Sequence, residues 1–214
     1  MVKTAILVSG GGSNLQAIID ARIFGEVRNC DLTAVISSNP DAYAIERANH
    51  AGIPVYVIDR TIFPNTNSYT KAILDKLQDL EIELVIHAGF NFILNSKYTD
   101  VYNGRAINIH PSLIPSFCGP GFYGLRVHEA VLKHGVKLTG ATAHFVTDIV
   151  DDGPIIIQKA VPVLDDDTPQ TLQRRVMEEG EWKILPEAIS LFCEKRLEID
   201  GRHVRIKKAI EEEV

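Results

Sequence analysis

Thr4-Ala-Ile-Leu-Val-Ser-Gly-Gly-Gly-Ser-Asn-Leu-Gln-Ala-Ile-Ile-Asp-Ala21 passes from an unbroken apolar run, through three glycines, into a helical pattern. The apolar run reads as a strand buried on both faces, the signature of a parallel sheet. Glycines let the backbone turn tightly, and the amides at the new helix N-terminus point outward and favour an anion, phosphate above all. The spacing departs from G-x-G-x-x-G, because Leu15 stands where the third glycine would fall. The second expected strand also ends in Ser37-Ser38-Asn39, with no acidic residue to hold a ribose, which argues against a dinucleotide. An ordinary strand-to-helix turn is the competing interpretation of so short a glycine loop.

Working outward, short apolar runs at 32–37, 55–58, 84–88 and 106–110 read as further strands. Helical patterns lie between them; in one, Tyr69, Ile73, Leu77 and Leu80 recur every three or four positions. Strand and helix in alternation predict an α/β fold, a mostly parallel sheet covered on both sides. In such sheets ligands bind beyond the carboxyl ends of the strands. After the Gly/Pro-rich loop 115–124, of which Phe117–Gly124 is a candidate lid, a helix is expected at 125–134. Longer strands at 138–147 and 154–163 then suggest an antiparallel pair at one side of the sheet. One long helix over 169–195 and a hairpin over 197–206 around Asp200-Gly201 complete the expected elements.

With 214 residues, 45% hydrophobic and 23% charged, the chain suits one globular domain. Its net charge of −6, without a Lys/Arg block, speaks against a polyanionic macromolecular partner. Cys30, Cys118 and Cys193 lack metal-ligand spacing and leave one thiol unpaired in any disulfide scheme, so a cytoplasmic location is expected. The N-terminal apolar run is too short for a signal peptide, and no run approaches membrane-spanning length.

The chemistry concentrates in Ala106-Ile-Asn-Ile-His-Pro-Ser112 and in Gly140-Ala-Thr-Ala-His-Phe-Val-Thr-Asp-Ile-Val-Asp-Asp-Gly153. Residues two apart on a strand share a face, so Asn108 and His110 point the same way before Pro111 ends the strand. An uncharged amide donor beside a group able to carry a proton suits the oxyanion of an acyl transfer, without a metal. Singly, each feature has a bland explanation: a structural histidine, an ordinary Asp-Asp-Gly turn. A glycine loop, an Asn-x-His strand end and an acidic turn meeting on one sheet edge have few structural explanations.

Together, Ser9-Gly-Gly-Gly-Ser-Asn-Leu-Gln-Ala17, His87-Ala-Gly-Phe90, Asn108-Ile-His-Pro-Ser-Leu-Ile-Pro115 and the segment from Gly140 to Ile155 make the chain resemble the phosphoribosylglycinamide formyltransferases, folate-dependent enzymes of purine synthesis. The resemblance implies a Rossmann-like sheet flanked by helices, with an antiparallel portion in the C-terminal half. It implies one domain over 1–214, with a phosphate-binding half at 1–110 and a folate and catalytic half at 111–214. The implied substrates are 10-formyltetrahydrofolate and glycinamide ribonucleotide, acted on by a monomer or homodimer without a metal. By similarity Asn108 and His110 bind the formyl oxygen, His110 donates a proton and Asp151 keeps the imidazole charged and oriented. Gly12, Ser13 and Asn14 hold the phosphate, and Glu181, aligned from Pro186, contacts the ribonucleotide. Asn91, Phe92, Ile93 and Leu94, with Asn108 and with Thr147, Asp148, Ile149, Val150 and Asp151, form the folate pocket.

Four features depart from the family pattern. Asn91-Phe92 stands where well-known members often carry Met-Arg, an Arg near Thr66 is absent, the loop Phe117–Gly124 is longer than in some relatives, and Val176-Met-Glu-Glu-Gly180 holds one extra residue. Methionyl-tRNA formyltransferase and formyltetrahydrofolate deformylase share the chemistry, and are expected to bring an additional domain. A nucleotide-binding dehydrogenase or non-catalytic sensor on the same sheet is the alternative from a different class.

Overall fold

The computed structural model describes residues 1–208; the end of the expected single domain, 209–214, lies outside the described residues. The strands β1 (Val2–Val8), β2 (Cys30–Ser37), β3 (Val55–Val57), β4 (Leu84–His87) and β5 (Ala106–His110) run parallel. Next come β6 (Leu138–Phe145), antiparallel to β5, and β7 (Ile155–Pro162), antiparallel to β6. One seven-stranded sheet results, in the order β3-β2-β1-β4-β5-β6-β7. The α/β reading and the antiparallel pair at one side of the sheet are therefore both observed.

The helices are α1 (Ser13–Ile23), α2 (Ala44–His50), α3 (Thr66–Asp79), α4 (Ser96–Val101), α5 (Leu125–His134), α6 (Pro169–Val176) and α7 (Trp182–Cys193). Alternation along β1 divides the core: Ile6 and Val8 join side chains of α1, α2, α5, α6 and α7, whereas Ala5 and Leu7 join those of α3 and α4. Both faces of the parallel strands are thus dry, which explains their unbroken apolar character. Local signals set the helix starts. Asn65 accepts from the Ser68 amide at 2.9 Å ahead of α3, and Thr168 and Thr171 form a reciprocal capping box around Pro169 at the start of α6.

Two expectations need correction. The helix foreseen over 169–195 runs unbroken over 169–193 but is not α-helical throughout, because a π-helical turn at Met177–Glu181 lies between α6 and α7. A π turn accommodates one more residue than an α turn, and this one overlaps the 176–180 segment in which an extra residue is expected. The terminal hairpin, β8 (Leu197–Asp200) and β9 (His203–Ile206), turns at Gly201-Arg202 and not at Asp200-Gly201, since Asp200 pairs with His203. Gly201, at φ 58°, supplies the positive φ that this turn requires. Among the described residues no helix is long and apolar enough to cross a membrane.

Candidate active site

Strand β5 places Asn108 and His110 on one face while Ile107 and Ile109 enter the core on the other. Antiparallel pairing with β6 sets His144 directly opposite Asn108, and the Asn108 Nδ2 lies 3.1 Å from His144 Nε2. His144 Nδ1 donates to the Phe145 carbonyl at 2.9 Å, and burial pushes the imidazole below its ordinary pKa. A neutral ring with its proton on Nδ1 leaves Nε2 as an acceptor, so the Asn108 amide donates to it. Its second amide hydrogen is left for the cleft.

His110 is buried, and both of its ring nitrogens face acceptors. Nδ1 lies 3.4 Å from Asp151 Oδ2, and Nε2 is 2.9 Å from the Phe117 carbonyl. An imidazolium satisfies both at once. Asp151 is itself fixed by the Gly119 amide, which donates to Oδ2 at 2.9 Å, and by a backbone φ of 55°. The acidic turn follows the carboxyl end of β6, which runs antiparallel to β5. Phe145 pairs with Ile107 near the start of β5, so the segment after β6 must double back along the sheet face to reach His110.

These groups open into a cavity of about 430 Å³. Every residue expected at the folate pocket lines it, from Asn91 to Leu94 and from Thr147 to Asp151, together with Asn108, His110 and Glu181. The loop at Gly119–Gly124 forms another wall. Thr99 Oγ1 donates to the Asp148 carboxylate, tying the 146–151 segment to α4.

Gly12, Ser13 and Asn14 do not line this cavity; they lie at the start of α1, where Gly12 adopts φ 70°. A Cβ on Gly12 would come within 2.7 Å of the Ala44 Cβ, so close packing of α2 as well as the turn demands glycine. No acidic residue stands in the first turn of α1, which leaves its amide-rich end suited to an anion. Arg47 donates to the Gly11 carbonyl at 2.9 Å and stiffens the loop. Asn14 Nδ2 donates to Glu181 Oε2 at 2.7 Å, and Glu181 does line the cavity. The α1 terminus and the cleft are therefore adjacent through one buried contact. Desolvation pushes the Glu181 carboxyl up to about 7 despite the opposing Asn14 hydrogen bond.

Sequence reasoning did not single out His144, His87, Tyr98 or His128, all of which line the cleft or touch its donors. Burial lowers His128 to about 4, and neither of its ring nitrogens has a partner among the described residues. For His144 and His87 a signal existed, since the one lies within the quoted 140–153 segment and the other opens the quoted 87–90 segment; only the pairing of β5 with β6 and β4 reveals that both stand beside Asn108. The backbone contacts of Phe117 and Gly119 carry no side-chain signal at all. Among the described residues no group of three His, Cys, Asp or Glu side chains is placed to hold a metal ion.

The geometry can be set beside known proteins. A phosphoribosylglycinamide formyltransferase from Haemophilus influenzae is 39% identical over 93% of this chain and 91% of its own length. The trifunctional purine biosynthetic protein adenosine-3 of Bos taurus is 42% identical over 89% of this chain, which spans only 18% of that longer protein. Among solved structures, glycinamide ribonucleotide transformylase 1 from Symbiobacterium toebii superposes with a TM-score of 0.91 at 43% identity, covering 97% of this chain and 95% of that one. The formyl transferase family model matches residues 2–189, and the chain belongs to that family.

Proposed function

We propose that this protein transfers the formyl group of 10-formyltetrahydrofolate to the amine of 5′-phosphoribosylglycinamide, as in de novo purine biosynthesis. The carrying observation is the convergence of Asn108, His110 and Asp151 on one cleft wall, with Glu181 joining that cleft to the N-terminus of α1. The names of relatives that match nearly end to end support the same reading.

The amine attacks the formyl carbon and negative charge gathers on the formyl oxygen. The free amide hydrogen of Asn108 and the Nε2–H of His110 donate to that oxygen, and Asp151 balances the imidazolium. As the tetrahedral species collapses, the proton lost by the amine passes to the departing N10 of tetrahydrofolate, with the His110–Asp151 pair as relay through water. For the formyl oxygen to reach Nε2, the 117–124 loop must release the Phe117 carbonyl. Gly12, Ser13 and Asn14 hold the phosphate and Glu181 the adjoining part of the ribonucleotide, which positions the amine. Asn91–Leu94 and 147–151 enclose the folate ring. The chain acts as one domain in this reading, a phosphate half at 1–110 and a folate half at 111–214, in the cytoplasm, as a monomer or homodimer.

The test is an assay of purified protein with 10-formyltetrahydrofolate and a panel of amines. Formylated glycinamide ribonucleotide and tetrahydrofolate should appear in equal amounts, and folate and ribose phosphates, but not NAD, should raise the melting temperature. Release of formate independent of any amine, or stabilisation by NAD alone, contradicts the proposal.

A further inference from the structure

A second polar pair lies in the wall of the cleft, and the formyl transfer derived above makes no use of it. His87 ends β4 in register with Asn108 on the neighbouring strand, so the two side chains stand side by side on one face. His87 Nε2 is 2.7 Å from the Tyr98 hydroxyl, which α4 and the core bury completely. That hydroxyl makes no other hydrogen bond among the described residues. A buried O–H must donate, so it donates to Nε2, and the imidazole proton resides on Nδ1.

Nδ1 has no protein partner among the described residues, yet it is not one of the sealed, unpartnered polar atoms of the interior. Its residue lines the cleft, so the N–H opens there. Burial holds the ring pKa down at about 3, which keeps it a neutral single donor across the working pH range. The Phe90 ring stands edge-on to the imidazole with centroids 5.5 Å apart, and Leu94 and Val146 line the same cleft, so the wall offers apolar contact to a flat ring.

We propose that His87, its tautomer fixed by Tyr98, donates an N–H from Nδ1 to an acceptor atom on the heterocyclic ring of the formyl donor. This rests on the folate reading of the cleft. His87 is then a binding residue that discriminates among ring systems, since a ring without an acceptor at that point leaves the donor unpaired. Tyr98 is a positioning residue acting through it.

The substitutions that test this exploit the shape of imidazole: an asparagine amide nitrogen occupies the place of Nδ1, and that of glutamine the place of Nε2. Tetrahydrofolate binding, measured by calorimetry under argon, should be within about twofold of wild type for His87→Asn and about fivefold weaker for His87→Gln and His87→Leu, the cost of one neutral hydrogen bond. Tyr98→Phe should weaken binding about threefold in the wild-type background and not at all beside His87→Asn, whose amide needs no tautomer fixed. The inference is overturned if His87→Gln binds like wild type while His87→Asn does not, or if Tyr98→Phe weakens both backgrounds equally, since either outcome makes the pair purely structural. Failure of the wild-type protein to bind tetrahydrofolate overturns the folate reading itself, and with it this inference; the ranking of the variants bears on His87 alone.

Discussion

Glu181 shows how one buried side chain couples the two ends of the site. Its carboxyl titrates near 7 in the folded protein because burial disfavours the charge, against an ordinary value of 4.5. Below the lower value both folded and unfolded chains hold the proton; as the pH climbs from 4.5 to 7 the unfolded chain ionises first, so stability is lost across that window. The full loss is about 3 kcal/mol. Glu181→Gln keeps an acceptor for Asn14 and cannot ionise, so its melting temperature should match wild type at pH 4.5 and exceed it by roughly 5–10 °C at pH 8. A gap that does not change with pH would show that Glu181 is ionised in the fold. Gly153 imposes a different constraint: a Cβ there would lie 1.7 Å from the Phe145 carbonyl oxygen, so the turn cannot keep its place with alanine. Gly153→Ala should cost about 1–3 kcal/mol of stability. Because Asp151 sits two residues away, kcat should also fall at least about tenfold; an unaltered kcat would mean that the turn does not position Asp151.

Among the elements, the α6–π–α7 unit is the most instructive. Leu172 and Val176 fix the register of α6 in the core, and Ile184, Leu185, Ala188 and Ile189 fix that of α7. The π turn absorbs the residue by which the two registers disagree, leaving Glu181 in step with α7. Deleting Glu179 should therefore convert the turn to α-helix with little harm, the melting temperature falling by less than about 5 °C and KM for the ribonucleotide changing less than about threefold. A collapse of folding would show that the flanking registers depend on the insertion. The π turn was invisible to periodicity, because both flanking helices carry a sound 3.6 pattern and only the count between them is off. Strands β1, β4 and β5 were legible for the opposite reason: burial on both faces writes itself into composition. The doubling back of the segment after β6 was not, since nothing in 146–153 encodes its direction. It is set by the register of Phe145 against Ile107.

For the molecule as a whole, the sheet brings together groups supplied by both halves of the chain. Asn91–Leu94 and Glu181, about ninety residues apart, line one cavity. Asn108 and His110 could be read directly from strand period and residue chemistry, and the glycine loop as an anion site from its backbone; the family resemblance narrowed that loop to Gly12–Asn14 and alone pointed to Glu181. His87 and His144 stand in quoted segments but were given no role, because each matters through the strand beside it, and strand order is a property of the fold. The central claim is that Asn108, His110 and Asp151 act as one unit on a single formyl oxygen. The most direct test is kcat for His110→Ala, Asp151→Asn and the double substitution, with KM measured for both substrates. Each single change should lower kcat by roughly 10²–10⁴-fold with KM altered little, and the double should be no slower than the worse single, as expected of groups that work together. Near-normal turnover in either single variant, or losses that multiply in the double, would contradict the account.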